Sequence, residues 1–201
     1  MSPRRSDARE RILREAMRLF AEKGYERTSI ADIQAAAGLT PGSGALYKHF
    51  PSKEAVLQAG MSRFMAEAAR AREVLSELPP RTEEALERLA REAMTTIGGE
   101  RDEHRIAWRE LEQFPDLQTR VRDEVMQATY RAFAGWLAQR VAAGEMREHD
   151  TEAMAAVLVG SLAMFRVFEA LWGVRTLPVS DDRFIQAWVE LTSRGLKREE
   201  E

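Results

Sequence analysis

Apolar residues recur along this chain at spacings of three and four, with charged residues opposite them, the pattern of amphipathic helices. Between residues 7 and 23, Ile12, Leu13, Ala16, Met17, Leu19 and Phe20 form the first such face, and Gly24 stops it. Thr28-Ser29 opens a short second helix. There, Ser29 and Asp32 have the spacing of a capping box, and Ile30, Ile33 and Ala37 make the apolar side before Gly38. A third short helix is expected within residues 40–50, and a fourth from Lys53 to about Leu78, before Pro79-Pro80. Helical patterns resume over 82–97, 102–113, 116–143, 150–173 and 181–197. No useful Val/Ile/Thr alternation occurs. The chain therefore reads as all-α, with about nine helices: an N-terminal three-helix domain over residues 1–54 and a helical body over 55–201.

Composition narrows the function classes. With 201 residues and no cysteine, the chain has length for a core and no disulfide framework, Cys-based zinc site or thiol nucleophile. The formal net charge of −3 hides an asymmetry, since residues 1–54 carry ten Lys/Arg against seven Asp/Glu and the body is acidic. A polyanion partner is thus expected for the first segment only. No apolar run follows Met-Ser-Pro-Arg-Arg-Ser-Asp, so no secretory signal is expected and the cytoplasm is the expected compartment. The longest apolar stretch, Ala153–Phe165, falls short of the roughly 20 residues of a spanning helix and reads as a buried helix, without a membrane partner.

Catalytic signals are missing. His49, His104 and His149 make no pair at metal-ligand spacing, and the latter two read as solvated surface in charged stretches. Gly42-Ser43-Gly44 lacks the Walker lysine and a preceding strand, and no serine elbow occurs. No catalytic residue, cofactor or metal is expected, and the protein is not read as an enzyme.

Residues 28–50, TSIADIQAAAGLTPGSGALYKHF, carry the functional signal. Two short helices about a Gly-containing turn, the second rich in small and polar residues, suit a helix-turn-helix whose slim second helix enters the major groove. Ile30, Ile33, Leu39, Leu46 and Phe50 supply an apolar underside, leaving Ser43, Ala45, Lys48 and His49 to face outward. The runs Gly38-Leu39-Thr40, Ala45-Leu46-Tyr47-Lys48-His49-Phe50 and Pro51-Ser52-Lys53-Glu54, with Leu19–Tyr25 before them, resemble the DNA-binding domain of the TetR family. That resemblance implies phosphate contacts from Thr28, Ser29, Tyr47, His49 and Lys53. Ser43, Ala45 and Lys48 become the base-reading candidates, with Thr40 at the entry to the reading segment. Arg4, Arg5 and Arg9 are candidates for a contacting arm.

One departure from the family pattern stands out. Gly38 to Leu46 takes eight steps where the family's common pattern takes six. Either Thr40 caps a longer helix with Pro41 at its first position, or Gly42 and Gly44 keep the insert non-helical and Ser43 becomes the cap. Two glycines cost about 1 kcal/mol each inside a helix, which favours the second reading.

The body offers a dimer face and a pocket. Residues 150–174 are apolar on nearly every side, so one face needs a partner beyond the chain's own core. With the last helix, this suggests a two-fold four-helix interface, assigned here to Leu158, Leu162, Phe184, Trp188 and Leu191, which the family resemblance also implies. Trp108, Arg109, Met126, Tyr130, Phe165 and Phe168 are the candidates to line a pocket for a small lipophilic effector. The expectation is a homodimeric regulator, most simply a repressor, that grips a palindromic double-stranded DNA operator and is released by that effector. The rivals are an effector-independent architectural DNA binder and a soluble carrier of lipophilic molecules.

Overall fold

The computed structural model describes residues 3–198, with side chains from Asp7. Among these, 77% of the chain's residues are helical and no strand occurs. The α-helices are α1 (Pro3–Lys23), α2 (Ile30–Ala36), α3 (Lys53–Ala71), α4 (Thr82–Gly99), α5 (Arg101–Arg109), α6 (Pro115–Val121), α7 (Ala128–Ala142), α8 (Thr151–Trp172) and α9 (Asp181–Leu196). Short 3-10 turns follow α3 (Arg72–Glu77) and α5 (Leu111–Gln113), and a π-helical stretch (Arg122–Gln127) joins α6 to α7. The fourth helix expected to reach Leu78 therefore changes to 3-10 geometry after Ala71. The third helix expected within 40–50 is reduced to one 3-10 turn, Leu46–Lys48.

Packing divides the chain into two compact units. One holds the residues up to Ala66 together with Asp102–Val121; the other holds Glu67–Arg101 and the residues from Arg122 onward. The boundary expected at 54/55 is thus not the packing boundary: the first unit takes in most of α3 and the 102–121 segment.

In the first unit, Ile12, Ala16, Met17 and Phe20 of α1 meet Ile33 of α2, Leu46, and Val56, Leu57 and Met61 of α3, all almost fully buried. Helix α3 lies so close to α1 that a Cβ at Gly60 would fall 2.1 Å from Sδ of Met17, so any larger residue there would force that thioether aside. Ile106, Leu111 and Leu117 extend this core. His104 lies on α5, half-buried, with its ring edge-on to Phe64 at 5.1 Å between centroids, not on a solvated loop.

In the second unit, α4 packs against α8 and α9, and α7 against α8. Leu86, Ala90, Leu137, Ala155, Leu158 and Ile185 lie in that core. Across the α8–α9 corner, Arg166 pairs with Glu169 (2.9 Å) and Asp181 (3.5 Å), and Arg175 pairs with the same two carboxylates (3.4 and 2.9 Å).

Helix α8 is long and apolar enough to cross a membrane by length and composition, and 28% of its most apolar window is buried. Its burial is one-sided. Leu158 and Leu162 face the core, while Val157 and Trp172 are exposed. Trp188 is also buried, its Nε1 donating to Ser161 Oγ at 2.9 Å, and Phe184 stacks on Phe165 at 4.0 Å between centroids. So four of the five residues expected at a dimer face, Leu158, Leu162, Phe184 and Trp188, are engaged within the chain. The residue of that set left outside is Leu191, at 77% exposure.

Candidate nucleic-acid interface

The turn between α1 and α2 is fixed from three sides. Within it, the Thr28 hydroxyl donates to the carbonyls of Gly24 (2.8 Å) and Leu19 (3.3 Å), closing the end of α1. From α3, Lys53 Nζ donates to the carbonyls of Tyr25 (2.9 Å) and Thr28 (3.1 Å) and lies 4.2 Å from the centre of the Tyr25 ring. From the 102–121 segment, Glu110 Oε2 accepts the Tyr25 N–H at 3.1 Å, and Phe114 meets the Tyr25 ring edge-on at 4.9 Å. Burial pushes the Tyr25 phenol up, with Glu54 and Glu26 adding to the shift.

Helix α2 starts with the expected box. Ser29 Oγ accepts the Asp32 N–H at 3.1 Å, while the Ser29 N–H and hydroxyl donate to Asp32 Oδ2 at 2.9 and 2.6 Å. These bonds hold the Asp32 carboxyl below its ordinary range, and Lys23 adds to the effect.

After α2 the chain turns through the two-residue insert. Gly42 and Gly44 have φ of +75° and +67°, left-handed values that end any helix through this stretch. The insert is therefore non-helical, the second of the two sequence readings. Ser43 bridges the turn: its hydroxyl donates to Thr40 O at 2.6 Å and accepts the Ala45 N–H at 3.4 Å. Yet the residue at the N-cap of the 3-10 turn is Ala45, without a side-chain cap, so the expected cap sits two positions early.

The predicted contact residues separate into two groups. Thr40, Ser43, Tyr47 and Lys48 are exposed and adjoin one another around the reading turn, with Ala45 and His49 half-buried beside them; Ser29 is exposed at the start of α2. Thr28 and Lys53 are different. Thr28 is fully buried, so its hydroxyl is spent on α1 and faces no phosphate. Lys53 turns its ammonium inward on two carbonyls, a buttress for the turn that carries Ser29. Arg9 places its guanidinium 4.7 Å from the centre of the Phe50 ring, while Arg4 and Arg5 lie outside the residues whose side chains are described.

Charge on α1 is also spent internally. Arg11 pairs with Asp7 (2.6 Å), and Arg18 with Glu15 (3.1 Å) and Glu22 (2.8 Å). Outside these pairs, Lys48 is exposed at the reading turn, and Arg27 is exposed beside the α1–α2 turn with its Nε donating to Lys23 O at 2.6 Å.

The pocket candidates are divided between the two compact units. Trp108, at 60% exposure, and Arg109 belong to the first unit; Met126, Tyr130, Phe165 and Phe168 belong to the second. There Phe168 stacks on Trp172 at 4.8 Å. Met126 lies in the π-helical stretch, exposed, beside the half-buried Tyr130. Two residues that hold these turns escaped the sequence reading: Glu110, and Gln34, whose Oε1 accepts the Gly42 N–H at 3.0 Å. A polar residue on the Ala-rich second helix just before the insert was the available signal for Gln34.

Comparison with known proteins bears on this geometry. Residues 12–59 match the model for bacterial regulatory proteins of the TetR family. Residues 84–192, more than half of the chain, match that for the C-terminal domain of AefR-like transcriptional repressors. The HTH-type transcriptional regulator YerO of Bacillus subtilis is 44% identical over 52 residues, 26% of this chain and 17% of YerO. The HTH-type transcriptional repressor KstR2 of Rhodococcus jostii is 41% identical over 61 residues, 30% of this chain and 29% of KstR2. The chain thus aligns with less than a third of either relative. Among solved structures, the TetR-family regulator PfmR of Thermus thermophilus superposes with a TM-score of 0.72 at 26% identity, over 93% of this chain and 99% of that one. A helix-turn-helix head and a helical body matched together, in order, make this chain a member of the TetR family of DNA-binding transcriptional regulators.

Proposed function

We propose that this chain is a homodimeric transcriptional repressor that leaves a palindromic operator when a small lipophilic molecule binds its body. The single observation that carries the ligand-responsive part lies inside the first unit. Residues 102–121 belong to the segment that matches the repressor C-terminal model, yet they pack in the unit of the reading turn, where Glu110 and Phe114 hold Tyr25. An effector that shifts this segment acts directly on the turn that orients α2. Its leverage equals its difference in affinity for the two states.

Phosphate contacts are assigned to Ser29, Tyr47 and His49, and base reading to Ser43, Ala45 and Lys48, with Thr40 at the entrance. Dimerisation is assigned to the outward faces of α8 and α9, where Val157, Trp172 and Leu191 are left exposed. Two-fold pairing would set two reading turns one DNA turn apart. Met126, Tyr130, Phe165 and Phe168 are assigned to the effector's walls, and the site of action is the cytoplasm. No catalytic step enters this scheme.

Selection of random duplex DNA by the purified protein at fixed moderate salt tests the reading. An enriched inverted repeat is expected, released by lipophilic ligands in a following screen. Binding without any enriched motif would favour an architectural DNA binder instead.

A further inference from the structure

Gln34 is buried to 1% exposure on α2, between the exposed Ala35 and Ala36 on one side and the core residue Ile33 on the other. It holds the chain that follows at two points. Its main-chain carbonyl accepts the Leu39 N–H at 2.8 Å, and its side-chain Oε1 accepts the Gly42 N–H at 3.0 Å. Because the partner at Gly42 is a donor, the amide has only one usable orientation: oxygen toward the turn. Its Nε2 is then left buried, with no hydrogen-bond partner among the described residues.

A buried donor without a partner is a cost that an apolar side chain would avoid. The amide earns its place through the oxygen. Beyond that bond, the Ser43 N–H and hydroxyl close on Thr40 O, and Gly42 and Gly44 take left-handed φ. The result is a fixed, outward loop of Thr40, Pro41, Gly42 and Ser43, all exposed, in the place where a reading helix would otherwise begin.

We propose that Gln34 is a specificity-determining positioning residue: it contacts no base, but its amide oxygen sets the shape in which the Thr40–Gly44 turn meets the base edges. The inference rests on the reading of residues 28–53 as the DNA-contacting segment. A groove-facing element discriminates sequence only if its donors and acceptors are held at fixed positions. Loosening the turn lowers discrimination while leaving phosphate-driven, sequence-independent binding in place.

The experiment compares the full-length wild type with Gln34→Met and Gly42→Ala, each in random-duplex selection and in titrations of selected and scrambled duplexes. Gln34→Met keeps the volume and removes the acceptor together with the unpartnered Nε2 donor, so any lost turn bond is offset in stability and shows in the DNA readout. Gly42→Ala attacks the same turn through its backbone, since a Cβ there meets nothing within 4 Å yet φ is +75°. In both variants the ratio of selected to scrambled affinity is expected to fall about tenfold, the worth of one good base contact. Affinity for scrambled duplex and its salt dependence should stay at the wild-type level. Thermal melting of each variant separates this outcome from unfolding. A Gln34→Met protein that melts as the wild type and enriches the same motif at the same ratio overturns the inference. If the wild type itself enriches no motif, the reading of residues 28–53 fails and the inference falls with it.

Discussion

From Gly24 to Lys53 nearly every change of direction is fixed by a polar group a few residues away or by one side chain reaching in, whereas α8 and α9 meet mostly through stacked rings and aliphatic burial. The Trp188–Ser161 bond and the Arg166–Asp181 pair are the directional exceptions there. The first region is specified by directional bonds with few alternatives. The second is specified mainly by area, and area is indifferent to which molecule supplies it. Directional bonds therefore define a site within one chain. Leftover apolar area on α8 and α9 asks for a second surface.

The sharpest way to break this contrast is to charge the leftover area. Val157→Glu together with Leu191→Glu is expected to convert a dimer to a monomer by light scattering and to weaken operator binding by about a hundredfold or more, since one reading turn cannot use the second half-site. A variant that stays dimeric would mean that the pairing face lies elsewhere. Next comes the apolar base of the reading turn: Leu46, fully buried, should cost about 2–5 kcal/mol when cut to Ala, read in denaturant melts. Lys53→Met removes two ammonium hydrogen bonds and a ring contact, for an expected loss of about 1–2 kcal/mol. The slope of log affinity against log salt should remain unchanged; a drop of about one would show that Lys53 also neutralises a phosphate.

Smaller effects sharpen the polar side of the comparison. Ser29→Ala deletes the helix cap and should cost about 1 kcal/mol. The last is a pH effect. The Asp32 carboxyl is depressed in the folded state, so the stability it brings is present above its unfolded range and is lost as pH falls through the lower folded value. Amide exchange in α2 should accelerate on acidification in the wild type, and Asp32→Asn should flatten that response.

Legibility in the sequence followed the range of the interaction. Ser29 and Asp32 were readable because a capping box is complete within four residues. Gly42 and Gly44 were readable because their φ preferences are their own. Lys53 was visible as a lysine at a helix start, but its destination, two carbonyls some 25 residues back, is set by tertiary packing. Helix α8 failed differently. Where a helix is apolar all round, no polar stripe marks its phase, so Leu158 and Leu162 could not be told from Val157. Gln34 was not legible as a turn anchor, since its donor, the Gly42 N–H, lies eight residues on across the longer turn and no local pattern on an Ala-rich helix announces that bond.

The absent side chain at Gly60 has a mechanical consequence. With Met17 lodged against its bare backbone, sliding α3 along α1 requires the thioether to swing aside, and a close-packed interior leaves it little room. Axial translation of one helix over the other is thereby resisted, which favours movement of the pair together.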